Sequence, residues 1–421
     1  MLPSITPLAA LPFAAMLLGI ALLPLIVPHV WEHPAGPIAL VVGCVVPVVL
    51  LAGHAGGFDG IAHEMQEYAA FIALIAALYV TAGGIHISGH PRGTPLVNLA
   101  FLGIGAVAAS LIGTTGASML LIRPLLQANE ERRHKWHIVV FFILLVSNSG
   151  GLLTPLGDPP LYLGYLNGVP FQFPLTLWKT WLLAVVYLLT AFWFWDQRAF
   201  ARETAADLAL ETAHATPLLM RGRVNLLLAG GIIAIAAAGV PSPLREAAFG
   251  VIIALSLLLT PREVRDANTF HYGPLKEVAL LFFGIFATMG PAIRYLEQIA
   301  PSLPVGRPVG LFFMSGALSS VLDNAPTYLV FASLAAARAG FGTNLGALAQ
   351  HAPELLAAVS VGSVFMGANT YIGNGPNLLV KAVAEGAGSS SVAMPDFLAY
   401  ASIAILILAP LYACIAWFMF L

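Results

Sequence analysis

The chain has 421 residues, 59% of them hydrophobic and only 9% charged, where a soluble domain carries about a quarter. Its formal net charge is −2, so no basic surface for nucleic acid is expected. These figures exclude a large soluble protein and leave a polytopic membrane protein whose first partner is the lipid bilayer.

Apolar stretches long enough to cross about 30 Å of hydrocarbon begin with 7–27, 38–54 and 66–88. No Lys or Arg precedes Arg92. The first stretch therefore lacks the basic flank of a signal peptide and reads as a retained span. The next, 96–127, is interrupted at its centre by Gly113-Thr114-Thr115-Gly116. A long apolar run with a polar break in the middle predicts a re-entrant helical hairpin, with a straight helix as the alternative. Spans at 138–165 and 180–195 follow, then a hydrophilic linker from Asp196 to Arg223. The second half supplies 224–240, 246–260 and 277–298, a second interrupted segment at 308–336 broken by Asp323-Asn324-Ala325-Pro326, and then 356–380 and 397–420. Cys44 and Cys414 sit in apolar runs without paired spacing and read as buried small residues, not as a disulfide or a metal site.

The two halves repeat each other. Thr154-Pro-Leu-Gly-Asp-Pro-Pro-Leu-Tyr-Leu163 returns as Thr370-Tyr-Ile-Gly-Asn-Gly-Pro-Asn-Leu-Leu379 at a shift of 216, which also carries Gly151 onto Gly367. At a shift of 210, Glu67 falls on Glu277, Ser110 on Ser320, and Gly113-Thr114 on Asp323-Asn324. Each copy puts helix breakers and polar groups inside an apolar span. Backbone freed from a helix is tolerated in hydrocarbon only where it is buried in protein or lines a cavity. Broken spans at matching places in two halves point to a transporter's binding site.

The predicted fold is all-α: two inverted-topology repeats at 1–195 and 224–421, each of five spans plus a re-entrant hairpin, joined by a cytoplasmic linker at 196–223. With the loop from Gln127 to Trp136 placed in the cytoplasm, 13 of the 18 Lys and Arg fall inside, as the positive-inside rule requires. Both termini then face outward, and the expected location is the plasma membrane, in bacteria the inner membrane.

Asp158 is the sharpest single residue. It lies midway through its span between Gly157 and Pro159-Pro160, where a helix cannot continue. A charge at that depth costs several kcal/mol, so intramembrane acids face cavities and mark ion or proton pathways. The plain alternative is an Asp that caps the following half-helix. Asp323, beside Asn324 and Pro326, is the counterpart in the second half. Carboxylates together with carbonyl and hydroxyl oxygens are what a hard cation such as Na⁺ takes. Asp158 and Asp323 are thus the expected Na⁺ ligands, alternating between cation and proton. Thr114, Asn148, Thr154, Asn324, Thr370 and Asn374 are the candidate co-ligands, although such side chains also bond locally to freed backbone. Asn377, Glu67 and Glu277 are secondary candidates, the two glutamates also suiting the first helical turn. His63-Glu64 begins a zinc-protease motif that fails because position 67 is Glu. No nucleophile–base pairing, phosphate loop or complete metal motif is present, so an enzyme is not expected.

Gly150-Gly-Leu-Leu-Thr-Pro-Leu-Gly-Asp-Pro-Pro160 and Leu322-Asp-Asn-Ala-Pro326 resemble the paired motifs of NhaD-type Na⁺/H⁺ antiporters and their citrate-transporter-like relatives in the ion transporter superfamily. The resemblance covers about residues 37 to 420. It implies inverted repeats whose hairpins and unwound helices meet near the midplane, and a homodimer. The superfamily's dicarboxylate symporters carry Ser-Asn-Thr at both hairpin tips. Here the tips read Gly113-Thr114-Thr115 and Asp323-Asn324-Ala325, nearer the antiporter branch, whereas Pro159-Pro160 is shared with the symporters. The expected function is Na⁺(Li⁺)/H⁺ antiport without a resident cofactor. The alternative is Na⁺- or H⁺-coupled symport of a di- or tricarboxylate such as citrate.

Overall fold

The computed structural model describes residues 7–26, 38, 40–45, 48, 58–205, 213, 215–303, 306–386 and 388–421. Residues 27, 39, 46–47 and 49–54 of the first two expected spans, and 206–212 and 214 of the linker, lie outside the described residues.

The first half holds α1 (Leu11–Ile26), α2 (Phe58–Gly83), α3 (Pro95–Ile112), α4 (Thr114–Ala128), α5 (Trp136–Leu145), α6 (Pro159–Leu166) and α7 (Trp178–Phe200). The second holds α8 (Val224–Ala237), α9 (Leu244–Leu259), α10 (Arg262–Ala267), α11 (Gly273–Ile299), α12 (Pro308–Ser319), α13 (Asn324–Arg338), α14 (Leu345–His351), α15 (Pro353–Met366), α16 (Gly375–Glu385) and α17 (Phe397–Ile415). Six stretches among the described residues are long and apolar enough to cross a membrane: Ala62–Gly83, Pro95–Ile112, Trp136–Leu153, Phe173–Phe200, Gly273–Ser302 and Phe397–Phe420. The protein is an all-α polytopic membrane protein. One small departure is an antiparallel pair, β1 (His86–Ser88) with β2 (Leu219–Arg221), in the register His86 to Arg221. It ties the end of the linker to the loop after α2.

Both interrupted segments fold back on themselves. Gly113 separates α3 from α4 with φ 82°, a conformation open to glycine because it has no Cβ. Gly105 then lies against Leu121. At the base of this hairpin Asn98 and Asn129 exchange amide hydrogen bonds of 2.9 and 2.7 Å. In the second hairpin Asp323 takes the place of that glycine and caps α13 by accepting from the Ala325 N–H at 3.1 Å. α12 packs closely on α15 because both surfaces thin to glycine: a Cβ on Gly362 would stand 2.4 Å from the Phe312 carbonyl oxygen, and Gly316 faces the Met366 side chain.

The glutamate-bearing helices of the two halves, α2 and α11, pack on each other. Tyr68 of α2 donates to the Ala279 carbonyl of α11 at 2.9 Å, and Phe71 lies against Phe282 with centroids 4.6 Å apart and ring planes tilted by 32°. The polar stretch after the first half begins within a helix. α7 runs through Asp196 to Phe200, and Asp196 is fully buried. Its carboxylate accepts from His137 Nε2 at 2.8 Å, from Asn98 Nδ2 at 3.1 Å and from both terminal nitrogens of Arg132. This ionic network pins the base of the first hairpin to α5 and α7.

Candidate functional site

Each half carries one helix that stops and restarts. In the first, α5 ends at Leu145, a 3-10 turn runs Ser149–Leu153, and a tight turn at 155–157 between extended Thr154 and Asp158 leads into α6. Pro159 and Pro160 occupy the first turn of α6, where their missing N–H groups go unneeded. In the second, α15 ends at Met366, a 3-10 turn covers Gly367–Asn369, and a bent segment at 371–373 between extended Thr370 and Asn374 leads into α16. The unwound chain is folded tightly. A Cβ on Gly157 would meet the Gly151 carbonyl oxygen at 2.0 Å, and one on Gly373 the Gly367 carbonyl oxygen at 2.5 Å.

The freed backbone is hydrogen-bonded by side chains, as buried polar groups must be. Thr154 Oγ1 donates to the Ser110 carbonyl, and Thr370 Oγ1 to that of Ser320. The hydroxyls of Ser110 and Ser320 donate in turn to Gly150 and Met366 carbonyls. The same stitch therefore recurs between hairpin and broken helix in both halves. Tyr400 donates to the Ala368 carbonyl at 3.0 Å, and Asn377 to those of Gly367 and Thr370 at 2.9 Å each. Sequence reasoning did not find the roles of Ser110, Ser320 and Tyr400. The two serines stood out only as repeat-matched positions.

Asp158 occupies the residue before α6, and its carbonyl accepts from the Leu161 N–H at 3.0 Å, yet its side chain makes no hydrogen bond to that helix. Its buried carboxylate instead gathers the other broken elements. Thr114 Oγ1, from the tip of the first hairpin, donates to Oδ1 at 2.9 Å. Asn324 Nδ2, from the tip of the second, donates to Oδ2. Asn374 Nδ2, from the second broken helix, reaches Oδ1 at 3.5 Å. Under the repeat shifts Thr114 corresponds to Asn324, and Asp158 to Asn374. Two pairs of equivalent positions thus converge on one carboxylate. Asn324 Oδ1 is buried beside it without a hydrogen-bond partner.

Asn148 and Asn377 form the layer behind. Asn148 Nδ2 donates to Asn377 Oδ1 at 2.8 Å, and its Oδ1 accepts from Asn374 Nδ2 at 3.2 Å, so the two broken helices are joined amide to amide. Asp323 is half-buried. It caps α13 and lies within reach of the Gly375 N–H, and its charge adds to the surroundings of Asp158. Thr154 and Thr370 are in the same assembly with their hydroxyls on hairpin backbone. Glu67 sits apart, with Asn167 Nδ2 at 3.5 Å and His63 Nε2 at 3.4 Å, and Glu277 lies near the start of α11.

The N-termini of α4, α6, α13 and α16 meet here, and each supplies roughly +0.5 of an elementary charge. Together they offset about two carboxylate charges without a basic side chain. The neighbours hydrogen-bonded to Asp158 are all neutral. Such a centre can hold a small cation on carboxylate and amide oxygens, or an anion on N–H groups and helix ends. No curated protein matches the chain. The model of the family described as "Putative citrate transport" matches residues 3–420, and the chain therefore belongs to that family of membrane transporters.

Proposed function

We propose that this protein is a secondary active transporter exchanging Na⁺ or Li⁺ for protons at a centre built on Asp158 and Asp323. The observation that carries this reading is the buried Asp158 carboxylate, ringed by Thr114, Asn324 and Asn374, with Asn324 Oδ1 left unpartnered beside it. Amides serve both states of such a site. Their N–H groups face an ionised, empty carboxylate, and a half-turn of the Asn324 amide presents its oxygen to a bound cation. A carboxyl that carries a proton offers the cation no charge, so the two ions exclude each other.

Dye-quenching assays in proteoliposomes test this directly. Na⁺ added to one side should move protons, Asp158→Asn should abolish the response, and apparent Na⁺ affinity should fall as pH is lowered. A fully active Asp158→Asn protein would remove that residue from the mechanism. The recurring hairpin stitch and the charge split support two inverted repeats with outward termini, while a homodimer in a bacterial inner membrane rests on the resemblance to the ion transporter superfamily. Cysteine accessibility from each side and the mass of the detergent-solubilised particle check those points.

A second reading, cation-coupled uptake of a carboxylate, is favoured by the family description and by the convergent helix ends. With about two positive charges already offsetting the two acids, a bound cation leaves a surplus that draws an anion in next. Labelled citrate accumulating in Na⁺- or H⁺-energised vesicles would select this reading over exchange.

A further inference from the structure

Two acids of α2 stand apart from the Asp158 centre, yet α6 connects them to it. Asp158 precedes α6 and Asn167 closes it, about 13 Å away along the helix. Asn167 Nδ2 donates to Glu67 Oε2 at 3.5 Å. Midway, the Tyr162 hydroxyl donates to the Ala70 carbonyl of α2 at 3.5 Å. One short helix is therefore held to α2 along its length, with Asp158 at one end and Glu67 at the other.

Glu64 lies three residues before Glu67, on the same face of α2. Its Oε1 rests against Gly290 of α11, 2.8 Å from where a Cβ would stand, and its Oε2 is buried with no hydrogen-bond partner. His63, 70% exposed, approaches Glu67, whose own side chain is 12% exposed. Arg294 of α11 faces Glu64, but its Nε points to the Gly290 carbonyl at 3.5 Å. On α9, which also packs against α2, Arg245 is closed on Glu246 at 2.7 Å. Among the described residues, then, no cation closes on the Glu64 carboxylate. A carboxylate oxygen shut away from water and left unpaired is costly, and a proton or cation is what satisfies it. His63 gives the neighbouring Glu67 carboxylate an exposed partner at 3.4 Å.

We propose that Glu64 and Glu67 form a second carboxylate station, one short helix away from Asp158, that takes up and releases the protons exchanged at that centre. The step is proton transfer alone: a carboxylate oxygen takes a proton from hydronium, leaving water, and then gives it up toward Asp158, whose carboxylate gains the O–H bond as the station regains its charge. This rests on the proton-coupled reading of the Asp158 centre. Under the orientation the charge split favours, the station faces the extracytoplasmic side.

The test compares wild type, Asp158→Asn, Glu67→Gln, the Glu64→Gln/Glu67→Gln double variant and Glu67→Asp. Na⁺ binding is measured by calorimetry on purified protein. Na⁺-evoked proton movement is measured in proteoliposomes with pH set independently on each side. Glu67→Gln and the double variant should bind Na⁺ as wild type does. They should move protons about a hundredfold more slowly, within the range that a positioned proton-transfer group contributes, and lose the dependence on pH on one side only. Glu67→Asp should restore that dependence, which a merely structural role would not require. A wild type that moves no protons would overturn both this inference and the exchange reading. A normal wild type whose glutamine variants keep its rate and its two-sided pH profile would overturn this inference alone, as would a Glu67→Gln protein that no longer binds Na⁺.

Discussion

Gly157→Ala is the sharpest single perturbation of the candidate site that leaves every charged and ligating group in place. The new Cβ would sit 2.0 Å from the Gly151 carbonyl oxygen and 2.8 Å from its carbon, whereas real Cβ atoms essentially never come under 3.0 Å. The obstacle is backbone, so it cannot swing aside as a side chain would. The unwound segment must open by at least about 1 Å, and overpacking of this kind costs about 1–3 kcal/mol. The displaced peptide immediately precedes Asp158, and its carbonyl accepts from the Thr114 N–H at 2.8 Å. Carboxylate and hairpin tip therefore move together. A binding constellation tolerates only about 0.5 Å of such drift, so Na⁺ affinity should fall about tenfold or more, each tenfold being about 1.4 kcal/mol. Calorimetric titration of the purified variant, with thermal unfolding in parallel, measures both terms. Gly373→Ala, with its closest contact at 2.5 Å, should lose less. Gly230→Ala, in the middle of α8 with open space around it, should bind normally and gain about 0.5–1 kcal/mol in stability. Wild-type affinity and stability in Gly157→Ala would refute the tight crossing and the dependence of the site on it.

Thr114→Ala removes one hydrogen bond to a charged group, worth about 1.5–3 kcal/mol, and should weaken cation binding by ten- to about a hundredfold while the protein stays folded. Asn374→Ala should act more weakly through Asp158, because its contact there is 3.5 Å; an equal or larger loss would assign its effect to the Asn148 link instead. Asp196→Ala leaves Arg132 buried without its counter-charge, which costs about 3–5 kcal/mol. Its melting temperature should drop clearly in scanning fluorimetry, and an unchanged value would mean that water relaxes into the base of the first hairpin.

The sequence determined by itself that this chain is a bundle of apolar helices, where two of them break, and which acid lies at a break. Those features are local: hydrophobic run length, Pro159-Pro160 and Gly375-Pro376, and an acid placed beside such a break. The repeat shifts alone also set Thr114 against Asn324 and Asp158 against Asn374. Which of these residues touch was decided only by the tertiary structure. Thr114, Asp158, Asn324 and Asn374 come from four separate elements, and no spacing along the chain encodes the distance between elements that pack across the bundle. For the same reason Thr154 and Thr370, alike in sequence to other candidate ligands, turn out to bond hairpin backbone, while Asp196, which reads as the start of a polar linker, is buried against Arg132 and His137. A hydroxyl or carboxylate takes whichever partner packing brings within about 3 Å, and that choice is made by the whole fold.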